Sequence, residues 1–169
     1  MMNDPVAEHK NASPGKLRCA VITVSDTRTV DTDQGGAIVV QLLQLAGHHV
    51  EARQIIPDEP KLMQSLLEGY VAADLDAVLL TGGTGVTRRD QTFETVSRLL
   101  DKPLPGYGEL FRMLSYQEIG AAAMLSRAVA GICRSTVVIT MPGSPAGVRL
   151  AMQTLIIPEL RHLVGQARQ

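Results

Sequence analysis

The chain has 169 residues and a mass of 18.2 kDa, and its 45% hydrophobic residues suffice for the core of one domain but not of two. Sixteen Lys plus Arg against seventeen Asp plus Glu leave a net charge of −1, and three Tyr, two Phe and no Trp offer no stacking platform, so charge and composition both argue against nucleic acid as a partner. No apolar run reaches the roughly 18 residues of a membrane span, and MMNDPVAEHKNASPGK at the start carries acids, Pro and Gly where a signal peptide has an apolar stretch; the expectation is a cytoplasmic protein with no membrane partner.

Residues 1–15 lack apolar periodicity and read as a loose arm, and residues 16–169 as a single domain. LRCAVITVS, from Leu17, is a continuous apolar run rich in β-branched residues, as expected of a parallel strand covered on both faces. After Gly35 and Gly36, the positions Ile38, Leu42, Leu45 and Ala46 mark an amphipathic helix that ends near Gly47. A second strand over 50–56 breaks at Pro57-Asp58, with Asp58 at an N-cap position, and Met63, Leu66, Leu67 and Tyr70 share one face of the next helix. AVLLT at 77–81 predicts a third strand, GGTGVTRRD a loop, and Phe93, Val96 and Leu100 a third helix stopped by KPLPG. Residues 106–134 read as helical, interrupted at Gly106, Gly108, Gly120 and Gly131, and TVVITM at 136–141 is a fourth strand. A last helix carries Val148, Met152, Leu155 and Ile156 on one face, and Pro158 kinks or restarts it. Strands alternating with helices predict a mostly parallel sheet with helices on both faces.

In open α/β sheets ligands bind outside the carboxyl ends of the strands. Here those ends carry Ser25-Asp26-Thr27-Arg28, Pro57-Asp58-Glu59, Gly82-Gly83-Thr84-Gly85 followed by Arg88-Arg89-Asp90, and Pro142-Gly143-Ser144. A GGTG turn lets backbone N–H groups approach an anion closely, since glycine has no Cβ and tolerates φ > 0. It is neither a Walker A loop, which needs Lys and a hydroxyl residue where this chain has Val86-Thr87-Arg88-Arg89, nor a GxGxxG fingerprint. Alone it reads better as an ordinary tight turn; Arg88, Arg89 and Asp90 in the same loop reverse that preference toward anion binding. Asp58 and Asp90 suit a divalent cation held with substrate phosphates, and equally suit the capping of two helices. His9, His48, His49 and His162 lie away from this edge. Cys19 and Cys133 show no metal-ligand spacing and read as reduced thiols among apolar neighbours. Phe93, Tyr107, Phe111 and Tyr116, with Met113 and Leu114, read as core with part at a subunit contact.

ITVSDTR, IIPDE, LLTGGTGVTRRDQTFE, GYGELFRMLSYQEIG, LSRAVAG and MPGSPAG occur in this order, and together they resemble the molybdopterin-binding MogA/MoaB family of molybdenum-cofactor biosynthesis, nearer its MoaB branch. The resemblance covers about residues 17–163. It implies a three-layer αβα fold that forms homotrimers or homohexamers, with molybdopterin and ATP as substrates and Mg²⁺ as cofactor, and other proteins of the same biosynthesis as further partners. The implied reaction is adenylylation of molybdopterin, its terminal phosphate attacking the α-phosphate of ATP and expelling pyrophosphate. Asp58 and Asp90 match the family's two functional aspartates and would organise metal and triphosphate. Thr81, Gly82, Gly83, Thr84 and Gly85, with Arg88 or Arg89, would hold phosphate; Ser25, Asp26, Ser115, Pro142, Gly143 and Ser144 would contact pterin or nucleotide. Some MoaB-type sequences lose the Arg-Asp pair of the third loop and appear inactive, whereas Arg89-Asp90 is intact here. A non-catalytic molybdopterin carrier remains the alternative, and a scaffold without a small-molecule site is a third reading that leaves the polar strand ends unexplained.

Overall fold

The computed structural model describes residues 15–169, so all but the last residue of the expected N-terminal arm lies outside it. Six strands, β1 (Arg18–Val24), β2 (His49–Ile56), β3 (Ala77–Thr81), β4 (Lys102–Pro103), β5 (Ala130–Cys133) and β6 (Thr136–Met141), form one sheet in the order β2-β1-β3-β6-β5-β4. The pairs β1–β2, β1–β3 and β3–β6 are parallel, and β5 runs antiparallel to both β6 and β4.

Among the described residues six α-helices cover the sheet: α1 (Gln34–Leu45), α2 (Pro60–Ala72), α3 (Thr92–Leu99), α4 (Pro105–Ile119), α5 (Pro145–Ala151) and α6 (Ile157–Ala167). Along β1, Cys19 and Val21 enter one core, with Leu43 of α1, Phe111 of α4, Val148 of α5 and Leu160 of α6, whereas Ala20, Ile22 and Val24 enter another with Met63 and Leu67 of α2 and Val96 of α3. The side-chain alternation of a strand thus supplies both faces of a three-layer αβα sandwich, and the unbroken apolar run of β1 is explained by burial on both sides.

Four of the six strands follow the sequence pattern, and 77–81 and 136–141 coincide with β3 and β6. The helical reading of 106–134 is corrected. Only Pro105–Ile119 is α-helical; Gly120, at φ +62°, begins a tight 3₁₀ turn over Gly120–Leu125, and the chain then extends as β5. Pro158 restarts the last helix after a wide π-type turn at Met152–Ile156, which accommodates the missing N–H and the ring. Asp33 is the N-cap of α1, its Oδ1 accepting from the Gly36 N–H at 2.9 Å, and the strand register carries Thr23, Thr81 and Met141 side by side. The loops after β1, β2, β3 and β6 therefore open at the same edge.

Candidate functional site

The loop after β3 is built on two consecutive left-handed glycines, Gly82 at φ +96° and Gly83 at φ +63°. A Cβ on Gly83 would lie 2.2 Å from Thr92 Oγ1 and 2.4 Å from Asp58 Oδ2, and one on Gly85 would lie 2.8 Å from Asp90 Oδ2. Both aspartates are therefore pressed against the backbone of one turn, although 32 residues separate them in sequence. Among the described residues, the N–H groups of Gly83, Thr84 and Gly85 have no hydrogen-bond acceptor. Such a row of backbone donors suits an anion.

Neither aspartate caps the helix that sequence position suggests. Glu59 stands at the N-cap of α2 without a side-chain capping bond, and the Asp58 carboxylate instead accepts from the Gln91 N–H at 3.2 Å, across the loop. Gln91, not Asp90, is the N-cap residue of α3; Asp90 Oδ2 closes its own turn by accepting from Thr87 N–H (2.9 Å) and Thr87 Oγ1 (2.6 Å). Asp58 is 5% exposed, and burial, with the Asp90 charge beside it, holds its carboxyl above the ordinary carboxylate range.

The two arginines differ. Arg89 donates to Asp26 through Nε (2.7 Å) and Nη2 (2.9 Å) and to Glu59 Oε1 through Nη1 (3.0 Å), tying together the loops after β1, β2 and β3. These bonds to Arg89 lower the Asp26 pKa to about 2, and Asp26 Oδ1 also accepts the Asp58 N–H at 3.2 Å. Among the described residues Arg88 is exposed and makes no ion pair.

Two clefts adjoin this turn and share Gly82, Gly143 and Ser144. The first, about 390 Å³, runs from Gly82–Gly85 and Asp90 along an apolar wall that includes Phe111, Ile119, Leu125 and Leu150, with Ser115 in its lining. The second, about 420 Å³, is more polar and opens between Ser25, Arg28, Thr81 and Pro145. Several anticipated contacts hold the walls: Thr81 Oγ1 donates to the Pro142 carbonyl (2.8 Å), Ser25 Oγ accepts from Arg28 N–H (3.1 Å), and Ser144 is the N-cap of α5. Thr84 and Ser115 are 4% and 5% exposed. Cys19 is buried and its thiol is pushed up to about 12, which removes it as a nucleophile; Cys133 is half-buried and its pKa is also raised by burial.

Sequence reasoning missed Glu59 as the second partner of Arg89, and it met Arg127 only inside the motif LSRAVAG, without placing it at the site. Arg127 precedes β5, and because β5 is antiparallel, with Ala130 opposite Ile139, its start and not its end lies at the site edge. No spacing rule for parallel strands brings it there.

Residues 20–162 match the family described as "Probable molybdopterin binding domain". The chain belongs to that family. Over 166 residues, covering 97% of this chain and 98% of the relative, it is 52% identical to the molybdenum cofactor biosynthesis protein B of Bacillus subtilis (strain 168). A crystal structure of a molybdenum cofactor biosynthesis protein B superposes with a TM-score of 0.87 at 51% identity, covering 93% of this chain and 99% of that one. A tungsten cofactor synthesizing protein MoaB from Pyrococcus furiosus superposes with a TM-score of 0.84 at 35% identity, covering 93% and 100%. Membership places this protein in molybdenum cofactor biosynthesis. No helix among the described residues is long and apolar enough to cross a membrane.

Proposed function

We propose that this protein transfers the adenylyl group of ATP to the terminal phosphate of molybdopterin. The observation that carries the reading is the meeting of Asp58 and Asp90 at one glycine turn where, among the described residues, the Gly83, Thr84 and Gly85 N–H groups lack acceptors. A turn that only reverses the chain needs no carboxylates from two loops pressed against its backbone, whereas a divalent cation shared with substrate phosphates uses such a pair. Two neighbouring carboxylates fit Mg²⁺, which ordinarily takes one or two of them with waters and substrate phosphates. Among the described residues no cluster of three or more His, Cys, Asp or Glu offers an all-protein cage, which also suits an ion shared with substrate. Asp58 and Asp90 would hold it, and when bound it neutralises charge on the triphosphate.

The chain's own residues do the positioning. The apolar wall of the first cleft accepts a flat pterin ring, and the Gly83, Thr84 and Gly85 amides receive phosphate oxygens at its rim, with the exposed Arg88 of the same loop adding positive charge. An oxygen of the molybdopterin phosphate then attacks the α-phosphorus of ATP, a new P–O bond forms, the α–β bridging P–O bond breaks, and pyrophosphate leaves. Incubating the purified protein with molybdopterin, ATP and Mg²⁺ should give adenylylated molybdopterin and pyrophosphate in equal amounts. Binding without product would select the carrier reading, which one observation favours: Arg89 is already held by Asp26 and Glu59.

Self-association belongs to the same reading. On α4, Phe111 is buried, while Leu110, Met113 and Tyr116 are 47%, 53% and 63% exposed, so the helix has an apolar side facing away from its own core. Sedimentation equilibrium at micromolar concentration should give three or six times the chain mass of 18.2 kDa. A single species at the chain mass would remove the threefold assembly.

A further inference from the structure

The loop that carries Asp90 has little regular structure to define its shape. Between Gly83 and Thr92 its main-chain bonds are Asp90 N–H to the Thr87 carbonyl (3.1 Å) and Thr92 N–H to the Gly83 carbonyl (3.0 Å). Side chains add the Asp90 carboxylate on Thr87, Arg89 on Asp26 and Glu59, and Asp58 on the Gln91 N–H, while the carbonyls at the two ends of the loop are held by one residue outside it. The Arg127 N–H donates to the Thr84 carbonyl at 3.1 Å, its Nε donates to the Gly85 carbonyl at 2.7 Å, and its Nη2 donates to the Asp90 carbonyl at 3.1 Å. Nη1 pairs with Glu94 on α3, and the guanidinium lies 5.4 Å from the centroid of the Phe93 ring.

We propose that Arg127 is the positioning residue of this loop, its planar fork fixing the separation between Gly85 and Asp90 and so the place of the Asp90 carboxylate beside the glycine turn. Its carbonyl contacts span both ends of the 85–90 segment, which a point charge cannot reproduce: a lysine ammonium has neither the fork nor the flat face that packs on Phe93. Its neighbour Ser126 lines the first cleft, so the same short segment forms cleft wall and loop clamp. The consequence for adenylyl transfer rests on the function proposed above; the positioning itself does not.

Arg127→Lys tests it, with Glu94→Gln as a second variant that removes the ion pair and leaves the carbonyl acceptors. Hydrogen exchange read by mass spectrometry on segments covering 84–91 should be about tenfold faster in Arg127→Lys, with sheet segments unchanged, and close to wild type in Glu94→Gln. In the transfer assay Arg127→Lys should lower kcat about tenfold or more while the KM for molybdopterin stays the same, because a displaced carboxylate harms the reacting geometry and not the pterin cleft. Unchanged loop exchange in a folded Arg127→Lys protein overturns the proposal, as does faster exchange spread equally over the sheet, or a Glu94→Gln loop as loose as that of Arg127→Lys. If the wild type forms no product but the loop loosens as described, the adenylylation reading fails and the positioning stands. If product forms and the loop is indifferent, the reverse holds.

Discussion

Asp90→Asn is expected to leave the fold and molybdopterin binding intact and to lower adenylyl transfer by about a hundredfold or more, the usual cost of losing one preorganised electrostatic contact to a reacting phosphate. The amide oxygen of Asn can still accept from Thr87 N–H, so the turn keeps its closing bond while the charge is lost. Asp58→Asn should be equally damaging for turnover, yet at neutral pH no less stable than wild type. Its carboxylate is buried, with a pKa raised by burial and by Asp90, and Asn retains an acceptor for the Gln91 N–H. An acid whose folded pKa lies above its unfolded value costs stability in the ionised form; that cost is present above the folded pKa and is relieved as pH falls through it. Any stability advantage of Asp58→Asn should therefore shrink as the solution is acidified. Thermal unfolding across pH, molybdopterin affinity and product formation, measured on both variants, check this together. Wild-type turnover in both would end the reading of these residues as the metal and triphosphate site and return the carrier to favour.

The parallel part of this fold was legible because its strands are buried on both faces and so write themselves as unbroken apolar runs: 77–81 and 136–141 could be bounded to the residue. Their carboxyl ends then indicated which polar residues share an edge, and Asp58, Gly83, Gly85 and Asp90 do converge there. The antiparallel part was not legible. β5 has four residues, Ala130–Cys133, including Gly131, and follows a Gly- and Ala-containing stretch whose composition suits a helix as well as the 3₁₀ turn it forms. With β5 hidden, so was the role of Arg127, which the motif LSRAVAG contains but which enters the site from the amino end of a strand. Hydrogen-bond partners were beyond reach for a different reason: an aspartate just before a helix reads as a cap, and only the folded backbone shows that Asp58 spends its carboxylate on the neighbouring loop. The arm over 1–15 belongs to neither account, since 1–14 lie outside the described residues.

Gly82→Ala should be among the most destabilising single-methyl additions in the chain. Gly82 sits where β3 ends, its N–H donating to the Met141 carbonyl of β6 at 3.0 Å, and a Cβ there would lie 2.2 Å from the Val24 carbonyl oxygen of β1 and 3.2 Å from its carbon. Both obstacles are main chain of a central strand, so no side-chain rotation relieves them. At φ +96° alanine also carries the steric cost of the left-handed region, about 1–2 kcal/mol. Overpacking against a rigid neighbour adds about 1–3 kcal/mol. Gly47 provides the control: it is left-handed too, at φ +84°, but a Cβ there meets nothing within 4 Å. Gly47→Ala should therefore cost only the conformational part, and the difference between the two variants in urea unfolding isolates the clash with Val24. Because Gly82 lines both clefts, molybdopterin binding should fall in Gly82→Ala and persist in Gly47→Ala. Equal stability of the two variants would show that the strand ends shift apart freely, in which case the glycine turn is not held rigidly enough to preorganise a phosphate site.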